Sequence, residues 1–239
     1  MKIQTLLRGV TLGFGLLWIV SIGVSNTRAD SSGGRRSTVQ ISVYNDAGLK
    51  PGTIRSAEEE AAAVFRRAGI EAEWKNCPSE DISARVSKPC GQAAYPTKLV
   101  LRIEKQPRGL VPEAFGVAYL SQDGQGAYCD VFVEPMEDLQ KTFPVSLDSI
   151  LGHVAAHEIA HLLLGPHSHS PNGLMRAQWN SHTIEELRRG SLGFNSAQSI
   201  AMTDRLEFAG DTATSALATM AEPAPATLSA LPSQCPNSH

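Results

Sequence analysis

The segment from about Leu147 to Leu164 constrains the fold of this chain more than any other part of its sequence. It is long and mostly apolar, Pro144 and Ser146 mark its start, and Gly165-Pro166 stops it. Apolar residues cover adjacent sectors of the helix that this pattern predicts. The segment therefore predicts a helix that is buried on more than one side.

Histidines interrupt this apolar helix at residues 153, 157 and 161. At 100° per residue His157 and His161 lie within about 40° of each other, one turn apart, and can hold one metal ion together. Histidines in such a helix are costly to bury unless something binds their nitrogens. A hydrogen-bonded buried pair is the simpler alternative, but six of the seven histidines fall between residues 153 and 182. That clustering favours a metal site.

The residues between and after these histidines suit zinc chemistry. Glu158 stands between them in a His-Glu-x-x-His sequence, where a carboxylate can polarise a metal-bound water. A third histidine beyond the helix would complete a His₃ site for Zn²⁺ with one open position. His167 and His169 are the candidates for it. His153, one turn earlier, is interpreted as a hydrogen-bonded structural histidine, and Trp179 as a core residue that could alternatively wall a pocket.

This stretch resembles the metzincin metallopeptidases, whose motif is H-E-x-x-H-x-x-G-x-x-H followed by a methionine turn. Within that clan the matrixin-like pattern is the most similar. His157, Glu158 and His161 match it, and Leu174-Met175 matches the turn, which the resemblance places beneath the metal. The resemblance covers most of residues 38–210.

The sequence departs from the family at the glycine. The family's position is occupied by Leu164, and Gly165 comes one residue later. Counting from His161, or backwards from Met175, gives His167 as the third ligand. The run from Ser168 to Ser170 and on to Met175 is similar to uncharacterised secreted bacterial proteins with the pattern HExxHLLLG…SHSxxG[IL]M. That similarity favours His169, with His167 kept as the alternative.

The predicted elements give an α+β fold. Alternation of Val39, Ile41 and Val43 predicts a first strand, and a helix capped by Ser56 with Glu58–Glu60 in its first turn should follow, ending at Gly69. Further strands are predicted at residues 70–74, 99–103, 116–120 and 128–133, and later helices at 147–164, 183–189 and 197–208. The resemblance implies a twisted five-stranded mixed sheet with two packed helices, the active-site helix, a Met-turn and a C-terminal helix.

Both ends of the chain differ in composition from this domain. Lys2 and Arg8 precede an apolar run, and Thr27-Arg28-Ala29 has the form of a cleavage site, so residues 1–29 are predicted to be a signal peptide. A non-cleaved membrane anchor is the alternative, but glycines and serine break the run and it is short for a spanning helix. Residues 30–210 form the predicted metallopeptidase-like domain. Residues 211–239, rich in Ala, Pro and Ser, are predicted to be a disordered tail.

Export agrees with the cysteines and the charge. All four cysteines lie beyond the predicted cleavage site, and Cys77 and Cys90 are predicted to pair, with Cys129 and Cys235 left open. Loss of three basic residues with the signal takes the net charge from −3 to −6, which argues against nucleic acid as a partner. We expect a secreted or periplasmic monomer that does not stay on the membrane after cleavage.

The sequence therefore predicts a secreted zinc endopeptidase that hydrolyses peptide bonds through a zinc-activated water, with Glu158 as general base. The rival from another class is a secreted zinc-binding or interaction domain that has lost proteolysis. A disulfide-stapled binding protein with an accidental motif is a third reading, and it leaves Met175 and the histidine cluster unexplained.

Overall fold

The computed structural model describes residues 36–78, 90, 92–107 and 114–220. The predicted signal peptide and its cleavage site lie outside these residues, as do residues 221–239 of the predicted tail. Across the described ranges, no helix combines the length and the apolar character that crossing a membrane requires.

Five strands form one mixed sheet in the order β2-β1-β3-β5-β4. Their bounds are β1 Ser37–Asn45, β2 Ile70–Cys77, β3 Lys98–Glu104, β4 Gly116–Tyr119 and β5 Tyr128–Phe132. The pairs β1–β2, β1–β3 and β3–β5 are parallel, and β4 runs antiparallel to β5 at one edge. The predicted α+β fold with a five-stranded mixed sheet is confirmed.

The centre of the sheet is covered on both faces. Val39, Ile41 and Val43 are at most 1% exposed and belong to the main core, as the alternating pattern predicts. Tyr44, on the opposite face of β1, is buried in a smaller cluster with Cys77 and Val100. Cys77 and Cys90 form a disulfide, with Cα atoms 6.0 Å apart, that holds residue 90 against this second cluster.

Five helices are described: α1 Pro51–Arg67, α2 Val133–Thr142, α3 Leu147–Leu164, α4 Ser181–Arg188 and α5 Ser196–Met220. The bounds of α3 are those predicted, because the Ser146 side chain accepts a hydrogen bond from the Ser149 amide and Gly165, at φ 84°, ends the helix. Between Ile150 and Leu163 every residue of α3 except His161 is buried.

The predicted start of α1 was wrong. The helix begins at Pro51, whose fixed φ suits the first helical position, so Ser56 lies inside it and Glu58–Glu60 are not in its first turn. Helix α2 was missed, because Val133 was taken as the end of a strand. Helix α5 continues to Met220, so it includes the first ten residues of the segment predicted as a tail.

Helices α1 and α3 pack closely against each other at Gly152. A Cβ atom there would lie 2.5 Å from the Ala57 carbonyl oxygen and 2.7 Å from Glu60 Cβ. Both neighbours belong to the backbone or the base of a side chain in α1, so they cannot rotate away. The absence of a side chain at residue 152 therefore sets the distance between these two helices.

We expect Gly152→Ala to lower the free energy of unfolding by roughly 1–2 kcal/mol. Overpacking costs about 1–3 kcal/mol, and the better helix propensity of alanine returns at most about 1 kcal/mol. Gly52→Ala, in α1, is the matched control: nothing lies within 4 Å of a Cβ there, so that variant should be as stable as wild type or slightly more so. Urea denaturation measures both, and equal stability of the two variants would contradict the packing argument.

Candidate metal centre

Burial and one hydrogen bond fix the orientation of the His157 ring. His157 is 8% exposed, and its Nδ1 lies 2.8 Å from the Leu174 carbonyl oxygen. Because a carbonyl only accepts, Nδ1 carries the proton and donates it, which leaves a lone pair on Nε2. Burial also lowers the pKa of His157 to about 4. The ring is therefore neutral, and its Nε2 is available as a ligand.

Two further imidazole nitrogens meet His157 Nε2. His161 Nε2 lies 3.0 Å from it and 3.1 Å from His169 Nε2. Burial, followed by the nearby His157 and His169, lowers the pKa of His161 to about 3. A neutral His161 has a single ring proton, so it cannot satisfy both neighbouring nitrogens with full hydrogen bonds. A cation placed among the three can accept a lone pair from each.

The spacing of this cluster fits Zn²⁺. Ligand atoms of His157, His161 and His169 all lie within 4.8 Å of one another, and within the described ranges this is the one such group of three His, Cys, Asp or Glu side chains. A tetrahedral ion with Zn–N bonds of ~2.0–2.1 Å separates its nitrogens by about 3.3–3.4 Å. Two of the nitrogen–nitrogen distances in the cluster, 3.0 and 3.1 Å, are close to this value. The three imidazoles therefore fit Zn²⁺ with one position left open.

The structure brings His169, not His167, to the other two histidines. Helix α3 does include Leu164, and the Gly165 amide donates to the His161 carbonyl at 2.9 Å, so the shift of the glycine is real. His167 follows in the left-handed region with φ 60° and lies outside the cluster. The imidazole that reaches the other two histidines is therefore that of His169, two residues beyond His167.

The predicted methionine turn lies at Leu174-Met175, and both side chains are fully buried. The Met175 carbonyl accepts from the Ser170 amide at 2.8 Å, and Leu174 supplies the carbonyl that orients His157. The turn therefore holds the His157 ring on one side and the loop of His169 on the other.

Glu158 occupies a buried position beside the cluster without belonging to it. It is 7% exposed, and burial raises its pKa to about 8. Its side chain packs against Gly116 on β4, where a Cβ atom would come within 2.5 Å of Glu158 Cγ. The carboxyl group can occupy this place only because residue 116 has no side chain.

An open cleft of about 810 Å³ connects these residues. Its walls come from β4 and the residues before it, from α3, and from the segment after the methionine turn; they include Phe115, Gly116, Glu158, Arg176 and Trp179. Trp179 packs on the core and lines the cleft as well, with its ring centroid 5.9 Å from that of Phe115. The sequence predicted Trp179 as a core residue, with a place in a pocket wall as the alternative. Phe115 was missed, since nothing in the sequence showed that the residue before the edge strand faces the site.

The other predicted residues that the structure describes do not belong to the cluster. His153 is buried, and its Nδ1 lies 2.9 Å from the Ser149 carbonyl oxygen within α3, in agreement with a structural role. Cys129 is a buried free thiol, and burial raises its pKa well above the usual value. Cys235 lies outside the described residues.

No protein-family model matches this chain, and no curated protein matches it. Among solved structures, it is similar to a zinc-dependent peptidase from Methanocorpusculum labreanum, with 16% identity, a TM-score of 0.49, and coverage of 68% of this chain and 99% of that one. Archaemetzincin from Methanopyrus kandleri follows with 18% identity, a TM-score of 0.45 and coverage of 72% and 98%. Metalloproteinase-II from Bacteroides fragilis has 14% identity, a TM-score of 0.44 and coverage of 71% and 53%.

We expect His169→Ala to lose zinc on dialysis and His167→Ala to keep most of it. Removing a ligand leaves two histidines, whereas removing a neighbouring loop residue should weaken zinc binding roughly 10–100-fold at most. Metal analysis of the two dialysed variants beside wild type makes the comparison. The opposite order of zinc retention would show that His167 is the ligand.

Proposed function

We propose that this protein is a zinc-dependent endopeptidase of the metzincin type. The observation that carries the proposal is the convergence of three imidazole nitrogens beside a buried glutamate in an open cleft. Zinc sites closed by four protein ligands serve structure, whereas three ligands and access from a cleft are typical of catalysis.

In this proposal His157, His161 and His169 hold the ion through their Nε2 atoms. When bound, Zn²⁺ supplies Lewis-acid chemistry: it lowers the pKa of water towards ~7 and, being cationic, favours the ionised form of a nearby carboxyl group. The Leu174 carbonyl keeps His157 in the tautomer that can bind metal, and Ser168 Oγ, 2.8 Å from His161 Nδ1, does the same for His161 if it accepts that ring proton.

Glu158 is the general base. Its place one residue after His157 on α3 puts it at the cleft without making it a ligand. Burial makes its carboxylate a stronger proton acceptor than an exposed glutamate, because the charged form is poorly solvated. Glu158 takes a proton from the attacking water and passes it to the leaving amine as the peptide bond breaks.

The substrate is a peptide or an unfolded protein segment. Strand β4 pairs with β5 on one side and forms the edge of the sheet on the other, and residues of β4 line the cleft. An extended peptide can add to such an edge through backbone hydrogen bonds.

A non-catalytic zinc-binding domain is the second candidate. The displaced Gly165 and the longer path to His169 favour it, because they change the route by which the third ligand reaches the site. The fit of Glu158 against Gly116 argues for catalysis, since zinc retention alone does not need that carboxylate. Hydrolysis of casein by the zinc-loaded protein separates the two candidates.

We expect Glu158→Gln to bind zinc as wild type does and to lose about 10²–10⁴-fold in peptide hydrolysis, since the amide cannot accept the proton. Glu137→Gln, an exposed change on α2, is the control and should hydrolyse casein normally. Zinc content and rates with and without chelator are the measurements. Comparable hydrolysis by wild type and Glu158→Gln would show that Glu158 is not the general base.

We further propose that the protein is exported and that its mature form starts at Asp30. The Cys77–Cys90 disulfide supports an oxidising compartment. N-terminal sequencing of the protein recovered from a secreting host should begin at Asp30, because Thr27-Arg28-Ala29 fits a signal peptidase site. Recovery of a chain that still begins at Met1 would contradict cleavage.

A further inference from the structure

Gln198, near the start of α5, is a buried polar residue with contacts on two sides. It is 9% exposed. Its Oε1 accepts a hydrogen bond from the backbone N–H of Asn195 at 3.0 Å, and the backbone N–H of Gln198 donates to Asn195 Oδ1 at 2.9 Å. This reciprocal pair is a capping box at the N-terminus of the helix.

The capping box fixes the orientation of the Gln198 carboxamide. A backbone N–H can only donate, so the oxygen of the side chain must face Asn195 and the nitrogen must face away. Nε2 then lies 3.4 Å from the Ser168 carbonyl oxygen and 3.2 Å from Ser170 Oγ. Both are acceptors for its two protons, so the whole carboxamide is satisfied.

These two serines flank His169 on either side. His169 is itself exposed, so burial does not hold its ring in place. The loop is tied at one end by the Ser170 amide, which donates to the Met175 carbonyl. Gln198 reaches Ser168 as well as Ser170, and Ser168 Oγ in turn contacts His161 Nδ1 at 2.8 Å. Gln198 thus contacts the loop on both sides of the third imidazole.

We propose that Gln198 is a positioning residue for His169, so that the N-terminal cap of the C-terminal helix and the third-ligand loop form one unit. This inference rests on the zinc site of the proposed function. The capping box fixes the Gln198 carboxamide. Its two N–H groups therefore point at the loop of His169 whatever conformation that loop adopts. The entropy of ordering His169 is then lost on folding instead of on metal binding, which raises zinc affinity.

Gln198→Glu is the sharpest variant. Glutamate serves a capping box as well as glutamine does, but its second oxygen would face the Ser168 carbonyl, where no proton is left to donate. In the full chain, we expect zinc affinity, measured by chelator competition, to fall about 10–100-fold, with little change in the Tm of the zinc-free protein. Zinc binding as tight as in wild type overturns the proposal.

Two other variants separate positioning from capping. Gln198→Met removes the donors and the cap and should also weaken zinc binding about 10–100-fold. Asn195→Ala removes a capping acceptor and leaves the donors, so it should lower the Tm of the zinc-free protein while zinc affinity stays within about twofold. If Asn195→Ala weakens zinc binding as much as Gln198→Met, the cap explains the effect and the proposal is wrong.

A double-mutant cycle with His169→Ala tests whether Gln198 influences zinc binding through His169. If Gln198 acts through His169, Gln198→Glu should change zinc affinity by no more than about twofold once that imidazole is gone. If Gln198→Glu still lowers zinc affinity about 10–100-fold in the His169→Ala protein, Gln198 does not act through His169. If the wild-type protein binds no zinc, both the proposed function and this inference are wrong. If zinc binding depends on Gln198 but the protein hydrolyses no peptide, only the proposed endopeptidase activity is wrong.

Discussion

The hydrogen bond between His157 Nδ1 and the Leu174 carbonyl, 2.8 Å long, joins the two parts of the chain that build the site. One part is α3, whose position is set by its burial in the core. The other is the turn at Leu174-Met175, fully buried beside it. Because the bond decides which nitrogen of His157 carries a proton, it also decides where the free lone pair points. The other two imidazoles are placed relative to that direction.

The site is a polar cluster in an apolar helix, and its electrostatics follow from that setting. Burial lowers the pKa of His157 and His161 and raises that of Glu158, so each of these groups is driven towards its neutral form. Neutral imidazoles are the form that binds metal. The same desolvation that makes the two histidines expensive to bury therefore prepares their imidazoles for a cation.

The parts of the site that follow local rules were predictable from the sequence. Helix α3 has an apolar run, a serine cap and a glycine stop, and its bounds agree with prediction; the spacing of His157 and His161 follows from helix geometry. His169 was predicted as the third ligand by resemblance, with His167 as the alternative. The residues alone did not decide between them, because the loop has no period and its course depends on contacts such as those of Gln198, which is distant in sequence. The start of α1 was misplaced because proline at a first helical position competed with a serine that also resembled a cap.

Gly116 and Glu158 are far apart in sequence, yet each limits what the other can be. Any Cβ at residue 116 would occupy space that the Glu158 side chain fills. In related sequences, substitutions at these two positions should therefore be correlated. A lineage that places alanine or a larger residue at the edge strand must shorten or move the carboxylate, whereas a retained glycine allows it to stay. One residue without a side chain thus provides a marker, readable in an alignment, of whether a relative still has room for a buried carboxylate at this position.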